Sequence, residues 1–316
     1  MGKIAFVFPG QGSQSVGMGQ DLYSRLPAAK SFYDRADEAL GYSLSNLIFQ
    51  GPEEELKITY HTQPALLTTS IAALEAFKAA GLSPDYVAGH SLGEYSALVA
   101  AGVLAFEDAV RTVRARGEFM EQAVPGGLGA MAAVLGAERE ALAALCTDIT
   151  SGGSVVELAN VNCPGQIVVS GSKEGVAAVV ERCKEAGAKR AIPLEVSGPF
   201  HSSLMKPASE RLAEVLGSVA MSPASLPVVA NVTAREVTQP DDIRRLLVEQ
   251  VYSPVLWEDT VAYLIGQGVD TFIELGSGTV LAGLIKKVDK TVKTVSIGSF
   301  DALDKYIQEV QEHANR

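Results

Sequence analysis

Tyr86-Val87-Ala88-Gly89-His90-Ser91-Leu92-Gly93-Glu94 is the stretch on which the fold turns. Its first four residues read as a short buried strand and Glu94 to Ala101 as a helix that starts at once, so a G-x-S-x-G sequence occupies the corner between them. Glycine on both sides lets the main chain turn sharply enough to expose a serine at a helix N-terminus, the geometry of a nucleophile elbow. There the helix dipole and the N–H of Leu92 are placed to stabilise an oxyanion, which makes Ser91 the candidate nucleophile. The competing reading is a glycine-flanked turn whose serine only caps a helix.

Outward from this corner, strands alternate with helices, which favours a parallel sheet covered on both faces. Lys3 to Phe8 reads as a buried strand, and Ser31 to Phe49, Gln63 to Ala80 and Phe106 to Ala123 read as helices. Between Pro125 and Gly198 the texture changes. Strands at 128–135, 155–161, 166–170 and 191–196 and helices at 138–146 and 173–186 give the order βαββαβ, a split unit that suggests a small ferredoxin-like domain, 125–198, inserted into a larger one. The first texture then resumes, with a helix at 202–219, a strand at 228–232, helices near 241–251 and 257–266, a strand at 271–275, a helix at 280–288 and a strand at 291–297. The expected division is therefore 1–124 with 199–316 as one domain and 125–198 as the other.

Composition narrows the function. The 316 residues include 26 Lys and Arg against 37 Asp and Glu, a formal net charge of −11. That excess of acid argues against a sequence-independent nucleic-acid binder, which needs a broad basic field. The longest mostly apolar stretch, Tyr95 to Phe106, falls short of the roughly 18 residues a membrane span needs, and no secretory core follows the first residues, so a cytoplasmic protein is expected. Three cysteines, Cys146, Cys163 and Cys183, lack CxxC spacing and read as buried thiols. No residue spacing implies a metal or a prosthetic group.

A serine needs a base, and the chain has four histidines. His313 lies in the C-terminal tail and reads as solvated; His61 sits at a helix entry, where a satisfied polar contact is expected. His90 neighbours the serine, and adjacent side chains on a turn point apart. His201 lies in the breaker-rich loop Ser197-Gly198-Pro199-Phe200-His201-Ser202, where the inserted unit rejoins the larger one, and by elimination it is the favoured base. A second glycine-rich turn, Phe8-Pro9-Gly10-Gln11-Gly12-Ser13-Gln14, lacks the third glycine of a dinucleotide fingerprint and the Lys-Ser/Thr ending of a P-loop. It either closes a strand and nothing more, or offers the N–H of Gln11 as a second oxyanion donor opposite Leu92.

Six motifs in order now carry a resemblance: Phe8-Pro9-Gly10-Gln11-Gly12-Ser13-Gln14, Thr62-Gln63-Pro64-Ala65, Gly89-His90-Ser91-Leu92-Gly93-Glu94, Arg116-Gly117, Asn162-Cys163-Pro164-Gly165-Gln166 and Gly198-Pro199-Phe200-His201-Ser202. Together they resemble the malonyl-CoA:acyl carrier protein transacylases of bacterial fatty acid synthesis over practically the whole chain. The resemblance implies an α/β-hydrolase-like core with a parallel sheet and a ferredoxin-like insertion. It implies a ping-pong transfer in which Ser91 takes malonyl from CoA and yields it to the phosphopantetheine thiol of acyl carrier protein, with His201 moving the protons and Gln11 and Leu92 holding the oxyanion. By the same resemblance the main-chain carbonyl of Gln250 orients His201, Arg116 grips the malonyl carboxylate, and Gln63, Asn162 and Phe200 line the substrate site, Phe200 as the bulky residue that excludes methylmalonyl. Malonyl-CoA and acyl carrier protein are the implied partners, and CoA enters as a substrate, with no cofactor.

Without the resemblance, Arg111, Arg114 and Arg116 would read as one solvated helix face, a reading kept for Arg111 and Arg114. Rival functions are a polyketide acyltransferase acting on separate carrier proteins, a serine esterase or thioesterase on the same fold, and a non-catalytic module, which intact Ser91 and His201 oppose. Lys189-Arg190 and Lys286-Lys287 are candidate contacts for an acidic carrier protein, against the plainer reading of solvated side chains.

Overall fold

Strand β1 (Lys3–Phe8) sends Ala5 and Val7 into one apolar cluster and Phe6 and Phe8 into another, the period-2 alternation of a strand whose faces are both covered. The protein, a computed structural model, is described over residues 2–314, with side chains through 312. The remaining strands are β2 (Tyr86–Gly89), β3 (Gly129–Leu135), β4 (Val156–Cys163), β5 (Gln166–Ser172), β6 (Arg190–Pro193), β7 (Val228–Ala230), β8 (Arg235–Val237), β9 (Val255–Leu256), β10 (Val269–Leu275) and β11 (Lys293–Ile297). They form a mixed α/β protein with two sheets.

The larger sheet has the order β11-β10-β1-β2-β7-β8, parallel throughout except for the β7–β8 pair. Helix Thr59–Phe77 is buried on nearly every side against one face, while helices Trp257–Gly266 and Val280–Val288 cover the other. Because β1 and β2 are parallel and in register from Ala5↔Tyr86 to Phe8↔Gly89, the loops that follow them leave the sheet side by side. Ligands bind in the crevice outside the carboxyl ends of such strands.

The smaller sheet has the order β6-β3-β5-β4-β9, with β3, β4, β5 and β6 antiparallel to their neighbours within that run. Helices Arg139–Ser151 and Lys173–Arg182 pack one face through Leu142, Ile149, Val176 and Val179. Met131, Ala159 and Val168, on the opposite face, join the main core. The fifth strand, β9, arrives from outside residues 125–198 and pairs in parallel with β4 through Asn160↔Val255 and Val161↔Leu256.

Several elements depart from the expected ones for local reasons. The helix expected at 31–49 is two helices, Pro27–Leu40 and Leu44–Gln50, separated at Gly41, whose φ of 74° ends the first. The helix expected to begin at Gln63 begins at Thr59, so Pro64 lies inside it. Proline has no N–H for the carbonyl four residues earlier, and Arg114 Nη1 donates to that Tyr60 carbonyl at 3.3 Å. Helices Gln20–Arg25, Glu53–Leu56 and Phe300–Ala314 and strands β8 and β9 were not expected. The three cysteines are free and buried. Among the described residues no helix is long and apolar enough to cross a membrane.

Candidate active site

The turn after β2 is as tight as its glycines suggest. A Cβ on Gly93 would collide with the Phe8 carbonyl and one on Gly10 with the His90 carbonyl, so small residues at both positions let the loops after β1 and β2 touch. Ser91 sits at φ 50° and His201 at φ 57°, left-handed conformations that cost a non-glycine residue about 1–3 kcal/mol each and persist only where the surroundings over-determine them. Here they bring Ser91 Oγ within 2.8 Å of His201 Nε2.

His201 Nδ1 lies 2.8 Å from the main-chain carbonyl of Gln250. A carbonyl only accepts, so Nδ1 carries the proton and Nε2 is free to receive one from Ser91. Burial, then the nearby Arg116 charge, push the imidazole down to about 3, against the partial support of the Gln250 carbonyl. The resting site thus holds a neutral histidine.

Arg116 is fully buried on helix Phe106–Gln122, at a place where Gly117 packs against the backbone of Thr59 and Tyr60 and lets the two helices close up. Its Nη1 donates to Gln63 Oε1 at 2.8 Å, and its Nη2 to Ser91 Oγ at 3.2 Å and Gln250 Oε1 at 3.1 Å. Nε has no partner among the described residues. A buried guanidinium must be paired or hydrogen-bonded; Glu94, also buried, lies behind it, its carboxyl pushed up to about 7 by burial, against the opposing pull of the Asn231 N–H, the Gln250 amide and the Arg116 charge. Gln250 Nε2 joins the two sides, donating to Glu94 Oε2 at 2.7 Å, to the Ser91 carbonyl at 3.1 Å and to Asn231 Oδ1 at 3.2 Å.

In the elbow, the N–H groups of Ser91, Gly93, Glu94 and Tyr95 are engaged by Asn231 Oδ1 and by the carbonyls of His90, Ser91 and Leu92. That leaves the N–H of Leu92 without a partner among the described residues. In the loop after β1, Gly12 and Ser13 donate to Gln14 Oε1 and the Gly10 carbonyl, which leaves Gln11 in the same state. Gln11, Ser91, Phe200 and His201 line a cavity of about 110 Å³ with Met120, Met131, Asn160, Leu194 and Val196. Asn162 Oδ1 lies 2.8 Å from His90 Nε2, and the residue lines a wider cavity of about 400 Å³ that shares Gln11 and Asn160 with the first.

Of the nine sequence-derived site residues, Gln11, Ser91, Phe200 and His201 line the smaller cavity; Arg116 bonds to Ser91 and the Gln250 carbonyl to His201, Leu92 follows Ser91 in the elbow, Gln63 bonds to Arg116, and Asn162 bonds to His90 and lines the wider cavity. His61 is held by Tyr42 Oη at 3.2 Å and Arg114 Nη1 at 3.1 Å, the satisfied contact expected. His90 is engaged with Asn162, and the side chain of His313 lies outside the described residues. Arg114 is not a solvated residue: it binds Glu118, Tyr42, His61 and the carbonyl freed by Pro64, whereas exposed Arg111 meets only Asp108 among the described residues. Glu94, Asn231 and Asn160 were given no role from sequence. The one available signal was a lone polar residue, Asn231, closing the apolar run Val228-Val229-Ala230.

The model of the acyl transferase domain matches residues 5–314. The chain is 58% identical over 312 residues to the malonyl CoA-acyl carrier protein transacylase of Bacillus subtilis (strain 168), covering 99% of this chain and 98% of that one. An acyl carrier protein S-malonyltransferase from Vibrio cholerae superimposes with a TM-score of 0.94 at 47% identity, over 96% of this chain and 99% of that one. A malonyl-transacylase solved in complex with its type II PKS acyl-carrier protein gives the same TM-score at 44% identity, over 97% and 99% of the two chains.

Proposed function

The chain belongs to the acyl transferase domain family, and on that premise we propose that it transfers malonyl from malonyl-CoA to the phosphopantetheine thiol of acyl carrier protein, in fatty acid synthesis. Ser91 Oγ attacks the thioester carbonyl while its proton passes to His201 Nε2. The tetrahedral oxyanion is held by the N–H groups of Gln11 and Leu92, at the start of helix Gly93–Ala100. As the C–S bond breaks, the imidazolium returns the proton to the departing CoA sulfur, leaving malonyl-serine. The carrier thiol then gives its proton to His201 and attacks the ester, and the proton returns to Ser91 Oγ as the C–O bond breaks.

The observation that carries this reading is the Arg116 guanidinium 3.2 Å from Ser91 Oγ inside a buried site. A guanidinium offers a carboxylate two parallel hydrogen bonds, so an acyl group on Ser91 that ends in a carboxylate takes over contacts that Arg116 makes with Ser91 and Gln250. It also neutralises the charge that depresses His201, so the base strengthens when the matching substrate is in place. Gln250 supplies a neutral carbonyl where a hydrolase supplies a carboxylate. That stabilises imidazolium less and favours a thiol, which ionises readily, over water as the second acceptor.

The finer architecture belongs to the same proposal. The order β6-β3-β5-β4 with two helices on one face supports a ferredoxin-like unit at 125–198, set into an α/β-hydrolase-like core formed by 1–124 and 199–316. We place the reaction in the cytoplasm, with CoA as substrate carrier and no cofactor. Intact-protein mass spectrometry after mixing with malonyl-CoA tests the central step: wild type gains one malonyl group and Ser91→Ala gains none. An unmodified wild type, or an adduct that persists in Ser91→Ala, would sink the reading.

A further inference from the structure

We infer that Asn231 is a positioning residue that holds the nucleophile elbow in its strained form and ties it to the group that orients the base. Strands β2 and β7 pair at Val87↔Val228 and Ala88↔Val229, and past that point β2 parts from β7 while it stays paired with β1 as far as Gly89. There the fully buried Asn231 carboxamide takes the place of the missing ladder. Its Nδ2 donates to the Gly89 carbonyl at 2.7 Å and its Oδ1 accepts from Ser91 N–H at 2.7 Å, so one side chain clasps the two main-chain groups on either side of His90.

The clasp is anchored at its back. Asn231 N–H donates to Glu94 Oε2 at 3.0 Å, and its carbonyl accepts from Leu256 N–H at 3.0 Å. Gln250 Nε2 reaches both Glu94 and Asn231 Oδ1, while the Gln250 carbonyl holds His201 Nδ1. Nucleophile and base thus share one buried frame, in which Asn231 holds the Ser91 N–H and Gln250 the Ser91 carbonyl. Only a carboxamide fits. Aspartate has no donor for Gly89 when ionised, and alanine leaves a buried N–H and a buried carbonyl unpaired, which main-chain groups rarely tolerate.

This inference rests on Ser91 as the nucleophile and not on malonyl as its cargo, so its test uses a fluorophosphonate probe, which reports serine reactivity alone. With full-length Asn231→Ala and Asn231→Asp, labelling of Ser91 is expected to slow on the order of a hundredfold, the cost of a misplacement of about 1 Å. KM for malonyl-CoA should change less than about threefold, since Arg116 and Gln63 are untouched. A pH profile separates positioning from a general loss of packing. The charged or titratable groups facing position 231 are Glu94, Arg116 and His201; His201 stays neutral in this range, and Glu94 is present in both variants. As pH falls from about 8 to about 5, the carboxyl introduced by Asn231→Asp takes up a proton and regains a donor for Gly89, so the deficit should narrow in that variant and not in Asn231→Ala. Labelling within about threefold of wild type in both variants, or parallel profiles for the two, would overturn the inference. A wild type that labels with fluorophosphonate but takes no malonyl would sink the proposed function and leave Asn231 standing.

Discussion

The parallel sheet brings Ser91, Arg116, Glu94, Asn231 and Gln250 to the cleft already bonded to one another, whereas the antiparallel sheet and its exit segment bring Met131, Asn160, Leu194 and Val196, a mostly apolar wall. Phe200 and His201 lie on the connection between the two. The difference follows from what each set costs to bury. A buried guanidinium and a buried carboxyl are costly to leave without hydrogen bonds, so the first side is densely bonded and intolerant of change. An apolar wall is held by packing, which adapts to changes of shape for little. Under the proposed function, reactivity and carboxylate recognition fall to one side and the exclusion of wrong acyl groups to the other.

The hardest test of that division is Arg116→Ala. It should lower kcat/KM for malonyl-CoA relative to acetyl-CoA by on the order of 10²–10³, the loss of two charge-assisted hydrogen bonds. Equal losses for both substrates would mean that Arg116 serves the frame and not the carboxylate. A smaller effect concerns stability. Burial raises the Glu94 carboxyl to about 7, so the folded protein holds a proton that the unfolded chain releases near the ordinary carboxylate value. That contribution is complete below about 4.5 and is lost as pH rises through about 7. Chemical denaturation of wild type against Glu94→Gln should show wild type losing on the order of 1–3 kcal/mol relative to the variant across that window; a constant difference would mean that the carboxyl stays ionised throughout. The smallest effect belongs to the connection between the two sides: Phe200→Ser should relax discrimination against methylmalonyl-CoA about tenfold. An unchanged ratio of specificity constants would remove Phe200 from the argument.

What could be read in the sequence was what is local. The G-x-S-x-G corner with an apolar strand before it located Ser91, and the breaker-rich loop around His201 narrowed four histidines to one. The glycines of both turns read as sharp bends, but not as the close approach that Gly10 and Gly93 make against each other's loops. Arg116 was legible only through resemblance, because its burial depends on Gly117 meeting a different helix. Asn231 and Glu94 were silent for the same reason: Ser91 and Asn231 are 140 positions apart and no periodicity relates them. Short or capped elements were lost as well. Strand β9 has two residues and owes its existence to the edge of β4, and Pro64 read as a helix start because the arginine that rescues its interior position stands 54 positions from the Tyr60 carbonyl it satisfies.

Strand β9 has a bearing on how such a molecule can be recombined. It leaves the main body, completes the edge of β4, and through Leu256 N–H holds the carbonyl of Asn231. A chimaera that exchanges residues 125–198 alone would import a β4 edge shaped for a different β9 and would tug on the residue that clasps the serine. Grafts that carry 253–257 along with 125–198 should keep their edge covered. Residues 125–198 and the splint at 253–257 are then best exchanged together, although they are far apart in the chain.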